Sequence, residues 1–168
     1  MKMIVRYQCL ARDALKRTAP RKLISIGDGT IFVFDETAMK EVPEYLLAID
    51  HALAGFNLDF MGDGVPEINW RIGVHVGNAY VFKDINGEDN YIGTGVNLAQ
   101  RVSTCVPDHG QAGVPFELDS TIYVSQAARD AFLTAGVGPN IEFHDAGDHT
   151  VKKTHVGHVF AMRKITYD

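Results

Sequence analysis

Cysteine is scarce in this chain: two among 168 residues, beside one tryptophan and six prolines. Cys9 and Cys105 share no metal-type spacing, so neither a disulfide framework nor a zinc site of the usual pattern organises the fold. No apolar run is long enough to cross a bilayer and no secretory signal pattern opens the sequence, which makes the cytoplasm the expected compartment and a membrane partner unexpected. Positive charge is also short. Sixteen Lys and Arg stand against 21 Asp and Glu, a net charge of −5, which argues against general nucleic-acid binding. No serine sits in a nucleophile elbow, and neither glycine-rich turn carries a Walker lysine. The seven histidines are scattered without zinc spacing. What remains is an ordinary apolar content of 46%, enough for a single domain over residues 1–168 with a real core.

Periodicity divides the chain into elements. Residues 3 to 16 carry Met3, Ile4, Tyr7, Leu10, Ala11, Ala14 and Leu15 at helical spacing. LISIGDGTIFVF, residues 23 to 34, reads as two strands joined at Gly-Asp-Gly, a hairpin. Helical spacing returns over 41 to 56 with Val42, Tyr45, Leu46, Ile49, Ala52, Leu53 and Phe56, then a loop with Gly62, Gly64 and Pro66. INWRIGVHVGNAYVF, 68 to 82, is strand-like, with glycines that permit bends or close approach. Asn86-Gly87 marks a second hairpin, and a helix is expected over 96 to 105. A strand near Thr121–Val124, a helix at about 125 to 134, and closing strands at Ile141–His144 and His158–Met162 complete the pattern. Helices alternate with strands and short hairpins recur, so the expected fold class is α+β, a mixed and mostly antiparallel sheet with helices packed on it.

Few residues invite chemistry. Asp63, in a Gly-Asp-Gly loop beside a proline, reads as a solvated turn residue. Asp28, in the other Gly-Asp-Gly, sits at the tip of a stiff hairpin. It is either an ordinary turn aspartate or a carboxylate placed to hold a hard cation such as Mg²⁺. In NYIGTGVNLAQR, residues 90 to 101, Asn97 and Arg101 are four apart and share one helical face. The pair is either a solvated face or a device in which Arg101 neutralises a phosphate while Asn97 bonds a nearby oxygen. Lys152 and Lys153 in HTVKKTH are either solvated or grip the outer phosphates of a nucleotide. His75, in an apolar strand, reads as a hydrogen-bonded core histidine.

Taken in order, LISIGDGTIFVF, WRIGVHVG, NYIGTGVNLAQR and VKKTHVGHVF resemble the catalytic domain of class III nucleotidyl cyclases, from about Leu23 onward. The resemblance implies a ferredoxin-like palm and a head-to-tail homodimer with active sites at the interface. It also implies a nucleoside triphosphate substrate and Mg²⁺ or Mn²⁺ as cofactor. Asp28 then matches the second of two metal aspartates. Asn97, Arg101 and Lys152 match the partner subunit's contribution: Asn97 orients the ribose, Arg101 stabilises the transition state and Lys152 holds the leaving pyrophosphate. The metals activate the 3′-hydroxyl for attack on the α-phosphate.

Two departures from the family pattern stand out. No acidic residue lies in a β-rich run ahead of Asp28, so the first metal aspartate and its strand have no counterpart. The expected explanation is a start internal to a longer reading frame or a trimmed chain, because a helix opening at Met1 without a capping residue looks cut into; a silent homologue is the alternative. At the base-reading positions stand Ile24 and Asn90, which fit neither the adenylyl nor the guanylyl pattern. Ile24 offers a base no hydrogen bond, and Asn90 can donate or accept. NYIGTGVNLAQR and the compact size also look similar to small bacterial pyrimidine cyclases of phage defence, which leans the expected product toward cyclic UMP or cyclic CMP. Adenylyl or guanylyl cyclase with atypical base recognition, and a silent nucleotide-binding or dimerisation module, are the rivals.

Overall fold

The computed structural model describes residues 20–26, 29–59, 67–107, 112–152 and 154–165. The chain divides into two compact units, Met1–Trp70 and Arg71–Asp168. The helix expected over 3 to 16, Asp28 and Asp63 lie outside the described residues.

In the first unit, β1 (Lys22–Ile26) and β2 (Gly29–Val33) form the expected antiparallel hairpin, with Leu23 opposite Phe32 and Ile24 opposite Ile31. A single 3₁₀ turn over Glu36–Ala38 leads toward α1 (Val42–Asp59). This helix buries Val42, Tyr45, Leu46, Ile49, Leu53 and Phe56, the stripe that its spacing foretold. Pro43 and Glu44 stand in its first turn, where a missing N–H and a negative charge suit a helix start. Hairpin and helix meet at Tyr45, which takes Phe32 and Phe34 edge-on at centroid distances of 6.0 and 5.3 Å. After α1 the chain is tied back: the Asn57 side chain bonds both N–H and C=O of Ile68, and Trp70 Nε1 donates to Asp50.

The second unit is built on a four-stranded sheet in the order β3-β6-β8-β7, where β3 is Ile72–Val74, β6 is Ile122–Ser125, β7 is Ile141–Val151 and β8 is Thr154–Lys164. β3 runs parallel to β6, and the other pairs are antiparallel. β6 (IYVS) is buried throughout, as befits a central strand covered on both faces. Two helices pack on the sheet, α2 (Thr94–Ser103) and α3 (Gln126–Ala135). Val102 and Val106 join Tyr123, Val159 and Ala161 in one buried cluster. α3 begins with Ser125 Oγ accepting the N–H of Ala128 and ends at Gly136 with φ 77°. Beside the main sheet, β4 (Tyr80–Lys83) and β5 (Asp89–Ile92) make a two-stranded ribbon. Its turn holds Gly87 at φ 78°, and the Asp84 carboxylate accepts N–H groups from Asn86 and Glu88.

Two expectations change in detail. The strand-like run 68 to 82 splits into β3 and β4, because residues 75 to 79 spend their polar groups elsewhere. His75 bonds Ser125, and the Asn78 carbonyl accepts the N–H of Gly95 at the start of α2. The closing strands are far longer than 141–144 and 158–162: β7 and β8 each run for 11 residues. Their outer halves are rich in His, Asp and Gly. Register shifts between Asp145 and Gly147 and between His149 and Thr150 break the alternation by which strands are recognised.

Candidate functional site

The site is assembled around α2. Gly93 precedes the helix at φ 147°, a conformation that L side chains rarely adopt, and so turns β5 directly into α2. The helix then lies very close to β3. A Cβ on Gly73 would sit 2.2 Å from Ser103 N and 2.3 Å from the Ala99 carbonyl oxygen, so only glycine admits this approach. Val102 faces the core at zero exposure. The polar pair is thereby set on a face away from that core: Asn97 is exposed, and Arg101, one turn on, is half-buried.

Arg101 has a defined partner. Its Nη1 donates to the carbonyl of Val151 at 3.1 Å. Val151 ends β7, and the next residue is Lys152, exposed and held at φ 48°. A left-handed lysine is uncommon and marks a tightly determined turn. Arg101 and the turn bearing Lys152 are thus brought together, 50 residues apart in sequence. The sequence offered no signal for that contact, which depends on how far β7 extends.

Asn90 lies on β5, opposite Phe82 on β4, and its side-chain oxygen accepts the N–H of Tyr91 at 2.8 Å. Ile24 is half-buried on β1 in the first unit. The expected metal ligand Asp28 lies outside the described residues. Among the described residues, no three His, Cys, Asp or Glu side chains gather as a metal set.

Two histidines near this scaffold have opposite electrostatics. His75 Nδ1 meets Ser125 Oγ at 2.9 Å, and burial pushes its pKa below the ordinary 6.5. This is the hydrogen-bonded histidine that its apolar setting led one to expect. His158, on β8, was not singled out by the sequence. Its Nε2 lies 2.7 Å from Asp145 and its Nδ1 3.4 Å from Asp148. The hydrogen bond to Asp145 raises the His158 pKa and holds the Asp145 carboxyl below its usual value.

No family model matches the sequence, and no curated protein matches it significantly. A solved structure does: a bacterial light-regulated adenylyl cyclase, with a TM-score of 0.68 at 14% identity over 98% of this chain. The two share a fold, a class III cyclase-like α+β architecture. The likeness extends to 46% of that protein's length, so the chain spans less than half of it. At this identity the likeness speaks to architecture. The cyclase fold accounts for the α+β class, the mostly antiparallel pairing and the helices packed against the sheet.

Proposed function

We propose that the chain is a metal-dependent nucleotide cyclase that converts a nucleoside triphosphate to a 3′,5′-cyclic nucleotide and pyrophosphate. Residues 1–168 act as one catalytic domain in a cytoplasmic homodimer, with active sites shared between protomers. A cyclic pyrimidine, cyclic UMP or cyclic CMP, is the favoured product, serving as a signal in antiviral defence. The observation that carries the reading is the contact between Arg101 and Val151, which sets a fixed guanidinium beside the turn of Lys152 in a cyclase fold. A permanent planar cation next to a mobile point charge suits a triphosphate whose charge shifts toward the leaving pyrophosphate. In this reading Arg101 meets the charge developing at the α-phosphate, Asn97 orients the ribose and Lys152 retains the pyrophosphate. Asp28 holds Mg²⁺ or Mn²⁺, which would supply Lewis-acid activation when bound. Ile24 and Asn90 face the base.

A second reading has its own support, since the similar solved structure is an adenylyl cyclase. One assay separates the possibilities. The protein is incubated with Mn²⁺ or Mg²⁺ and each of ATP, GTP, UTP and CTP, and products are identified by mass. A cyclic pyrimidine as major product supports the first reading, and cyclic AMP or cyclic GMP the second. Nucleotide binding without any cyclic product makes the chain a silent module and ends both.

A further inference from the structure

We infer that His158 is a positioning residue for the proposed site: in its charged form it braces the bulged β7–β8 hairpin and so fixes the turn on which Arg101 rests. This deepens the cyclase reading and rests on it. It adds a regulation of that site, in which proton concentration sets how firmly its cations are held.

The hairpin is irregular where the site needs it firm. From Ile141 opposite Lys164 to Asp145 opposite Phe160, the strands pair residue for residue. Beyond that, the register shifts between Asp145 and Gly147 and again between His149 and Thr150. Gly147 and Gly157 are left-handed there, at φ 85° and 88°. Such bulges interrupt the ladder and bend the strand. The outer segment ends at Val151, which offers its carbonyl to Arg101 just before the turn at Lys152. Its position therefore depends on what bridges the first shift.

His158 bridges it. The residue stands opposite Asp148, between the two shifts. Its Nε2 reaches Asp145 at 2.7 Å and its Nδ1 meets Asp148 at 3.4 Å, so one ring touches β7 on both sides of the first bulge. Only the imidazolium carries an N–H on both nitrogens. The neutral ring must turn a lone pair toward one carboxylate, and the brace loses an arm. Within β7, Asp145 also accepts the Gly147 N–H at 2.7 Å, and His149 Nε2 donates to the Ala146 carbonyl at 3.0 Å. Those bonds shape the bulge but do not cross to β8. The other groups near the ring are Phe160 on its own strand, at a centroid distance of 5.0 Å, and Arg129 of α3 over Phe160, paired in turn with Asp130. Two facing carboxylates favour the proton, in keeping with the raised pKa of His158. The brace is complete below the ordinary 6.5 and is lost as the pH rises through the raised value.

Two variants of the full chain test this: His158→Gln, neutral at every pH, and His158→Arg, charged throughout. Cyclic product from ATP, GTP, UTP and CTP is followed from about pH 6 to about pH 9, a range that spans the titration of a histidine with a raised pKa. Amide-exchange protection over residues 147–151 is measured in parallel. Activity is read as a ratio to the unmodified chain, which cancels pH effects common to both. The unmodified chain should exceed His158→Gln by about threefold at the acid end and converge with it at the alkaline end, with protection following the same course. His158→Arg should gain on the unmodified chain as the pH rises, and this comparison decides the matter if the glutamine chain does not fold. A ratio that stays constant with pH makes His158 structural only and overturns the inference, whatever the protection shows, while the cyclase reading stands. If protection tracks the charge but no nucleotide is cyclised, the cyclase reading fails and the brace stands. If no product forms and protection does not respond to the charge, both fail.

Discussion

A single guanidinium carries most of the proposed chemistry. Arg101 is half-buried and bonded to the Val151 carbonyl, so its position is set before any substrate arrives. Prepositioned charge lowers the barrier because nothing has to reorganise as the reaction proceeds. Arg101→Ala is expected to reduce cyclase turnover by about a hundred- to a thousandfold, read by product formation in a variant with native circular dichroism. Wild-type turnover from that variant would remove Arg101 from the site. Gly73 acts on the same helix by sterics alone. Both nearest neighbours of an added methyl are backbone atoms, which cannot rotate aside. Gly73→Ala should therefore push α2 off β3 and destabilise the second unit by about 1–3 kcal/mol, measured by denaturant unfolding.

Elements bring pH into the account, and the two histidines pull in opposite directions. On the β7–β8 hairpin, His158 is held between Asp145 and Asp148, with Phe160 against its ring and Arg129 of α3 over Phe160. Its raised pKa means that the folded state binds the proton more tightly than the unfolded one. The stabilisation is complete below the ordinary value of 6.5 and disappears as the pH rises through the raised folded value. Asp145→Asn should flatten that part of the curve of melting temperature against pH. At the start of α3 the sign is reversed. His75 is held neutral by burial, so its share of stability is intact above 6.5 and is lost as the pH falls toward the lowered folded value. Ser125 serves that histidine and caps α3 together, at 4% exposure. Ser125→Ala is expected to cost about 1–2 kcal/mol, seen as a lower unfolding midpoint in urea.

The whole molecule, in the proposed reading, is two chains and two shared sites. Asp28 of one protomer would then work with Arg101 of its partner, which gives a test that no single-chain mechanism passes. Asp28→Ala and Arg101→Ala chains should each be inactive alone. Mixed at equal concentration, they should recover roughly a quarter of full activity, since half the dimers are mixed and one site in each is intact. A mixture as dead as its components would rule out sharing.

How much of this could be read in advance follows from how local each signal is. The β1–β2 hairpin, α1, the Asn86-Gly87 turn and α3 rest on contacts within a few residues, and their patterns were plain in the chain. Asn97 and Arg101 on one face of α2 needed only the pitch of a helix. The outer halves of β7 and β8 were invisible, because HDAGDHT has no apolar alternation and its bulges interrupt the period. The bond from Arg101 to Val151 and the grip of Asp145 and Asp148 on His158 were out of reach for the same reason. Each depends on strand register or backbone orientation. The order of residues by itself determined which segments would be helix or strand and which polar groups were candidates, since those follow from periodicity and side-chain chemistry. Only the tertiary structure decided which candidates meet and which atoms they present, because a hydrogen bond across 50 residues is set by how strands pair and how closely a helix can lie against a glycine.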